Sequence, residues 1–266
     1  MSRVRTAFKD LRVGDVFPTV EGGSVTVIAI VDNADVTVKH NDLHGHIQVT
    51  QLGHLNNGYL KNPYHPSVQG IGYLGVGPYL PSITGKLTVE YEIWRTMLKR
   101  CYDANFHINN PTYIGCTVHS DWLNFQTFAQ WYCKNPYCRQ GYDLDKDILY
   151  YGNKIYGPGT CVLVPHEVNI LFRDSSKKSV NRDLPTGVEL IGSKYRARLG
   201  SKHIGTYMTL HEAHLAYLTH KRTGYLFIAE KYKHAIDVRV YHAILNLASN
   251  VLNCAGLEFA PSKGDD

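Results

Sequence analysis

Apolar positions along the chain change period from one region to the next. In the first 55 residues they fall in short β-branched runs, Val25–Ile30 and Val36–Val38. Turn chemistry bounds them: Glu21-Gly22-Gly23 before the first, Asp32-Asn33 between the two. Residues 46–52 add a third strand, and the segment is expected to form a small β-barrel of SH3-like type. Residues 56–87 lose any period. Stretches such as Asn62-Pro63-Tyr64-His65-Pro66 and Gly70-Ile71-Gly72-Tyr73-Leu74-Gly75 mark an irregular connector. Such a segment either hugs a surface, a nucleic-acid groove included, or links domains. Helical spacing then begins: Tyr91, Trp94, Met97, Leu98 and Cys101 over 88–102, then Phe125, Phe128, Ala129 and Tyr132 over 123–133, with Asp121 as a candidate cap. A strand-turn-strand-helix pattern spans 142–172, and residues 184–233 read as strands followed by one helix. A last helix, from about Ala235 to Leu252, carries the stripe Ile236, Val240, Ile244, Leu245, Ala248 and Val251. That stripe is expected to be a docking face, with a dimer seam as the alternative.

These periods predict an α+β, multi-domain chain. The expected divisions are a β domain at 1–55, a connector at 56–87, a ββα region at 88–173, and a polar linker at 174–183. A sheet-plus-helix module follows at 184–234, then a helix and tail at 235–266, of which Pro261–Asp266 reads as loose.

Composition adds a location and a partner class. The apolar share is 44%, enough for each domain to bury a core. The N-terminal Met1–Asp10 is polar and does not read as a signal peptide. With no apolar run of membrane-spanning length, the expectation is a protein without membrane partners. Six cysteines scattered over 266 residues fit reduced thiols in the cytoplasm, the host's if the chain is phage-encoded. Net charge is only +5, but residues 177–234 hold eleven Lys or Arg against four Asp or Glu. That local excess suits a polyanion such as nucleic acid, and suits a solvated basic surface equally.

The basic segment has internal order. Leu184-Pro185-Thr186-Gly187-Val188 leads to Tyr195-Arg196-Ala197-Arg198-Leu199, then to Ile204-Gly205-Thr206-Tyr207. Thr209 and Glu212 form a capping box at a helix whose Ala213, Ala216, Tyr217 and His220 share a face. In a strand, Lys194, Arg196 and Arg198 point to one side, and Tyr195, Ala197 and Leu199 to the other. A cationic sheet face of this kind can enter a DNA major groove; a half-buried strand with solvated cations has the same pattern. The string from Gly187-Val188 through Tyr195, Ala197 and Gly205 to Glu212-Ala213 and Ala216-Tyr217 resembles the AP2 domain of plant transcription factors and phage homing endonucleases. The resemblance covers about 50 residues and implies contact with double-stranded DNA by Lys194, Arg196, Arg198 and Lys202. Glu189 departs from it, standing where the family usually has a cation.

The middle region contains Tyr91-x2-Trp94-x2-Met97-Leu98, Gly115-Cys116-Thr117-Val118-x3-Trp122, Leu144-Asp145-Lys146-Asp147, Asn153-Lys154 and Pro165-His166-Glu167-Val168-Asn169. This order resembles phage and bacterial HNH-like proteins that often carry an AP2 module. HNH chemistry uses a carboxylate and a helix residue to hold a divalent metal, and a histidine to activate water. The resemblance implies Asp145 and Asn169 as ligands of Mg²⁺ or another divalent metal, with Thr160 where an Asn often stitches the loop. Lys146 stands where the catalytic His is expected. A protonated lysine cannot accept a proton, so Asp147 or His166 would have to substitute. The competing reading of Asp145, Asp147 and Asn169 is turn and cap positions. The aromatic residues Tyr91, Trp94, Trp122, Phe125, Phe128 and Trp131 read as core rather than as a base-stacking platform.

Structural zinc is not expected: Cys133-x4-Cys138 has no second pair to complete a site. No phosphate-cradling loop of the GxxxxGK[ST] kind appears, so no nucleotide cofactor is expected. Two functional readings stand. One is a site-specific nicking or cleaving endonuclease like the phage homing enzymes. The other is a catalytically inactive HNH-like DNA-binding protein acting as a regulator or host-interaction factor. A binding module centred on the N-terminal domain is a third.

Overall fold

The computed structural model describes residues 5–173 and 184–253. The expected linker at 174–183 and the tail at 261–266 lie outside the described residues. The chain is mixed α+β and forms two compact units, 1–134 and 135–266. This division falls inside the 88–173 segment that the sequence reads as one region.

The N-terminal unit begins with an antiparallel meander of β1 (Val16–Pro18), β2 (Ser24–Ile30), β3 (Val36–His40) and β4 (Ile47–Thr50), in spatial order β1-β2-β3-β4. The order is open, with no pairing between β1 and β4, so the expected barrel does not close. Alternation explains its core: Val25 and Val27 on β2 and Val36 and Val38 on β3 are fully enclosed. They pack with Leu11, Phe17, and with Leu52 and Leu55 from a short helix, α1 (Leu52–Asn57).

Helices α2 (Val89–Tyr102) and α4 (Phe125–Lys134) lie where the helical spacing puts them, with a short α3 (Ala104–Asn109) between. Asp121 lies in a 3-10 turn, Ser120–Leu123, and α4 starts beyond it. Trp94, Trp122, Phe125 and Phe128 are buried, and the Trp94 indole N–H donates to the Trp122 carbonyl at 2.7 Å. These aromatics are therefore core. The Gly- and Pro-rich connector is an ordered strap on these helices. Tyr73 exchanges backbone bonds with Leu123 and Phe125, each at 2.9 Å. Gln126 accepts from the Tyr79 N–H at 3.0 Å and donates to the Tyr79 carbonyl at 2.9 Å. Gly72 is required there, since a methyl would overlap Leu98 and Trp94.

The C-terminal unit holds two sheets. The first is a hairpin of β5 (Tyr142–Asp145) and β6 (Val162–Pro165), followed at once by α5 (His166–Leu171). The second is an antiparallel sheet of β7 (Val188–Ile191), β8 (Lys194–Leu199) and β9 (Lys202–Tyr207), backed by α6 (Leu210–Tyr232). Thr209 caps α6 reciprocally with Glu212, as the sequence pattern expects. A final helix, α7 (Val238–Asn253), starts three residues later than its stripe suggests, because Asp237 accepts the Arg239 N–H at 2.8 Å.

One stripe of α6 serves both sheets. Tyr217 and Leu218 pack on the three-stranded sheet. Ile228 and Ala229, eleven residues on and so about three turns later, pack on Val162, Val164 and Val168 of the hairpin and α5. Ile236, just before α7, and Val240, Ile244 and Ala248 of α7 are buried, and the first three join the hairpin core. The stripe is thus an internal docking face. Lys231 and Tyr232 of α6 both donate to Glu167 of α5, at 2.6 and 2.8 Å, which fixes α5 against the long helix. Among the described residues, no helix is long and apolar enough to cross a membrane.

Candidate nucleic-acid interface and the hairpin-helix cluster

The three-stranded sheet has one face on α6 and one away from it. Val188, Tyr195, Ala197, Ile204 and Tyr207 pack with Ala213 and Tyr217 of the helix. Gly187, at φ +84°, lets this packing close: a methyl there would run into the Tyr217 ring. Both residues belong to the Gly187-to-Tyr217 pattern of the sequence, and their proximity gives that spacing a packing cause.

Strand alternation turns Lys194, Arg196 and Arg198 to the opposite face. Lys194 is exposed, and the side chains of Arg196 and Arg198 are each 36% exposed. Cross-strand pairing extends this face, because residues opposite one another in an antiparallel ladder share a side. Arg196 pairs with Glu189 on β7 and Thr206 on β9, Lys194 with Ile191, and Arg198 with His203. Lys202 pairs with Leu199 and so takes the other side of the ribbon at its exposed end.

The face is not a row of three independent cations. Glu189 binds both arginines. Its Oε2 accepts from Arg196 Nε at 3.2 Å and Nη2 at 2.5 Å, and its Oε1 from Arg198 Nη1 at 3.0 Å. The hydrogen bond from Arg196, with the positive charge of both arginines, holds the Glu189 carboxyl below the usual carboxylate range. Glu189 thus occupies the centre of the cationic face.

The hairpin-helix cluster differs from its sequence-based expectation. Asp145 Oδ1 accepts the backbone N–H groups of Asp147 and Ile148, at 2.7 and 2.8 Å, so the side chain caps the turn that leaves β5. Burial pushes the Asp145 carboxyl up, against the pull of those two donors. Lys146 is buried. Its ammonium donates to both oxygens of Asp147, at 2.7 and 2.8 Å, and to the Asn153 carbonyl at 2.6 Å. Asn153 returns a bond from its amide to the Lys146 carbonyl at 2.9 Å and another to Ile155 at 2.8 Å. Asn153 is therefore the stitch of this loop, and Thr160 adds a bond to the Ile155 carbonyl at 2.8 Å. Asp147 is half-exposed and committed to Lys146.

His166 and Asn169 meet a residue the sequence reading did not select. Asp143 Oδ2 lies 2.7 Å from His166 Nδ1 and accepts from Asn169 Nδ2 at 2.8 Å. The register explains this. Pro165 pairs with Tyr142, so α5 begins beside the start of β5 and its first turn reaches Asp143. The two expected metal ligands have other partners. One oxygen of Asp145 is occupied by backbone donors, and Asn169 turns its amide N–H to Asp143. Among the described residues, no group of three His, Cys, Asp or Glu side chains converges to hold a metal ion. Cys101, Cys116 and Cys161 are buried, and burial pushes the Cys161 thiol up to about 12.

Comparison with protein-family models, curated proteins and solved structures returns no match to this chain.

Proposed function

We propose that this chain is a double-stranded DNA-binding protein that meets the duplex with the exposed face of its three-stranded sheet. The observation that carries the reading is the placement of Lys194, Arg196 and Arg198 on the side of the sheet away from α6. Strands about 4.8 Å apart make a three-stranded sheet about 10 Å across, comparable to a major groove about 12 Å wide. The basic composition of residues 177–234 supplies the long-range attraction to phosphate. The resemblance to AP2 domains agrees with this use of the face.

In this reading the hairpin-helix element is a scaffold, not a cutting centre. Lys146, at the position of the expected base, is buried and spends its three N–H donors on Asp147 and Asn153. A strand-nicking endonuclease is the second reading, and Asp143 with His166 favours it. A carboxylate on one imidazole nitrogen orients the ring, and the His166 side chain is 58% exposed.

Gel-shift titration on duplex DNA at several salt concentrations tests the first reading. Affinity is expected to fall with salt, and the double substitution R196A/R198A is expected to flatten the slope by about one per lost phosphate contact. An unchanged slope and affinity in that variant would remove the sheet from the interface. Supercoiled plasmid with Mg²⁺ or Mn²⁺ tests the second: nicking that disappears in H166A and D143A selects the endonuclease.

A further inference from the structure

We infer that Glu189 is a specificity-determining positioning residue, aiming the free fork of Arg196 at a base edge and tying Arg198 beside it, while weakening the attraction of both to phosphate. The inference rests on the DNA-binding reading above and adds to it which residue makes the face selective.

A guanidinium is planar and carries five N–H donors. Glu189 Oε2 takes one from Arg196 Nε and one from Nη2, which are on the side edge of the group. The terminal edge, Nη1–H with the second Nη2–H, is the parallel fork that matches guanine O6 and N7. Clamping the side edge therefore aims the terminal edge along a fixed direction. Arg198, held through Nη1 to the other carboxylate oxygen, is fixed relative to Arg196 by the same anion. The backbone supports this. Glu189 is the direct cross-strand partner of Arg196, in a hairpin turned by Gly192-Ser193. Thr206 and His203 flank the two arginines on β9, and Lys194 is the other cation on this face of β8.

The same carboxylate cancels part of the positive field. Phosphates are present at every step of a duplex, so a lower charge weakens binding to all sequences alike. A pre-aimed fork strengthens binding only where a guanine meets it. Both effects raise the ratio between preferred and arbitrary DNA, and specificity is that ratio.

The test uses the full chain. Preferred duplexes are selected from a random pool with the wild-type protein. Affinities of wild type, E189A and E189Q are then measured on the selected and on a scrambled duplex, with thermal unfolding as a check on folding. For both variants we expect tighter binding to the scrambled duplex, a salt slope there steeper by about one, and discrimination reduced about tenfold. Selection repeated with E189A is expected to lose preference at a G·C pair. If the variants discriminate as well as wild type, the assignment of Glu189 fails while DNA binding stands. The assignment fails in the same way if the wild type binds duplex without preference. If the wild type binds no duplex at all, the DNA reading fails with it.

Discussion

Two of the carboxylate–cation clusters in the C-terminal unit differ sharply in exposure. Lys146 has a side chain 7% exposed and three short bonds, all within its own loop. Arg196 and Arg198 are 36% exposed and share one carboxylate on an open sheet face. A buried ammonium cannot exchange its partners for water or for a ligand without a large desolvation penalty, so Lys146 is fixed as part of the fold. The surface arginines are held by Glu189 yet keep exposed N–H donors beyond those bonds, so they can meet a phosphate or a base without first leaving a buried site. Residue type alone does not separate the two roles; burial does.

The largest expected effect breaks the buried cluster. D147A leaves the Lys146 ammonium with the Asn153 carbonyl and the Tyr156 ring face, and is expected to cost about 3 kcal/mol of stability in urea unfolding. This is the low end for a broken buried pair, because Asp147 itself is half-exposed. A loss below about 1 kcal/mol would place Lys146 among ordinary surface cations. The surface cluster should answer in the opposite way. R196A/R198A is expected to leave unfolding within about 0.5 kcal/mol of wild type while lowering affinity for preferred DNA by about 30-fold, or about 2 kcal/mol. A destabilised double variant would make the arginines structural and erase the contrast. T209A removes the side-chain cap from the helix that supports both clusters and is expected to cost about 1 kcal/mol of stability.

Local patterns in the sequence carried the elements, and register carried the sites. Period-2 runs and the capping box located β2, β3 and α6, because strand alternation and helix capping are decided within a few residues. Closure of the N-terminal sheet was not decided there, since it depends on whether β1 meets β4. The cationic face was legible from the alternation of Lys194, Arg196 and Arg198. Its clamp was not read from the sequence, which marked Glu189 only as a departure; the two-residue turn at Gly192-Ser193 sets Ile191 opposite Lys194 and so Glu189 opposite Arg196. In the hairpin the sequence pointed to Asp145, while the structure joins His166 and Asn169 to Asp143. That choice depends on pairing across a long, irregular loop, whose length fixes no register. The bonds between Lys146 and Asn153 close within that loop and leave no periodic trace.

The smallest effect is the most direct measure of what Asp145 does. Its charge is raised in free energy by burial, while its Oδ1 serves two backbone donors. A folded-state carboxyl held above its unfolded value takes up a proton more readily in the native chain. Native protein therefore binds more protons than unfolded chain between the two values, and stability falls as pH rises through that window. D145N keeps an oxygen acceptor for the two N–H groups and removes the charge. It is expected to match or exceed wild-type stability at pH 7, by up to about 0.5 kcal/mol, and to abolish this part of the pH dependence. D145A removes the acceptor as well and is expected to be less stable than D145N. The comparison also bears on chemistry. A carboxylate needed for strand cleavage would lose nicking activity in D145N at unchanged stability, whereas a turn cap would lose nothing that plasmid assays read. If the neutral isostere unfolds more easily than wild type at pH 7, the Asp145 charge stabilises the turn, and the raised carboxyl is refuted.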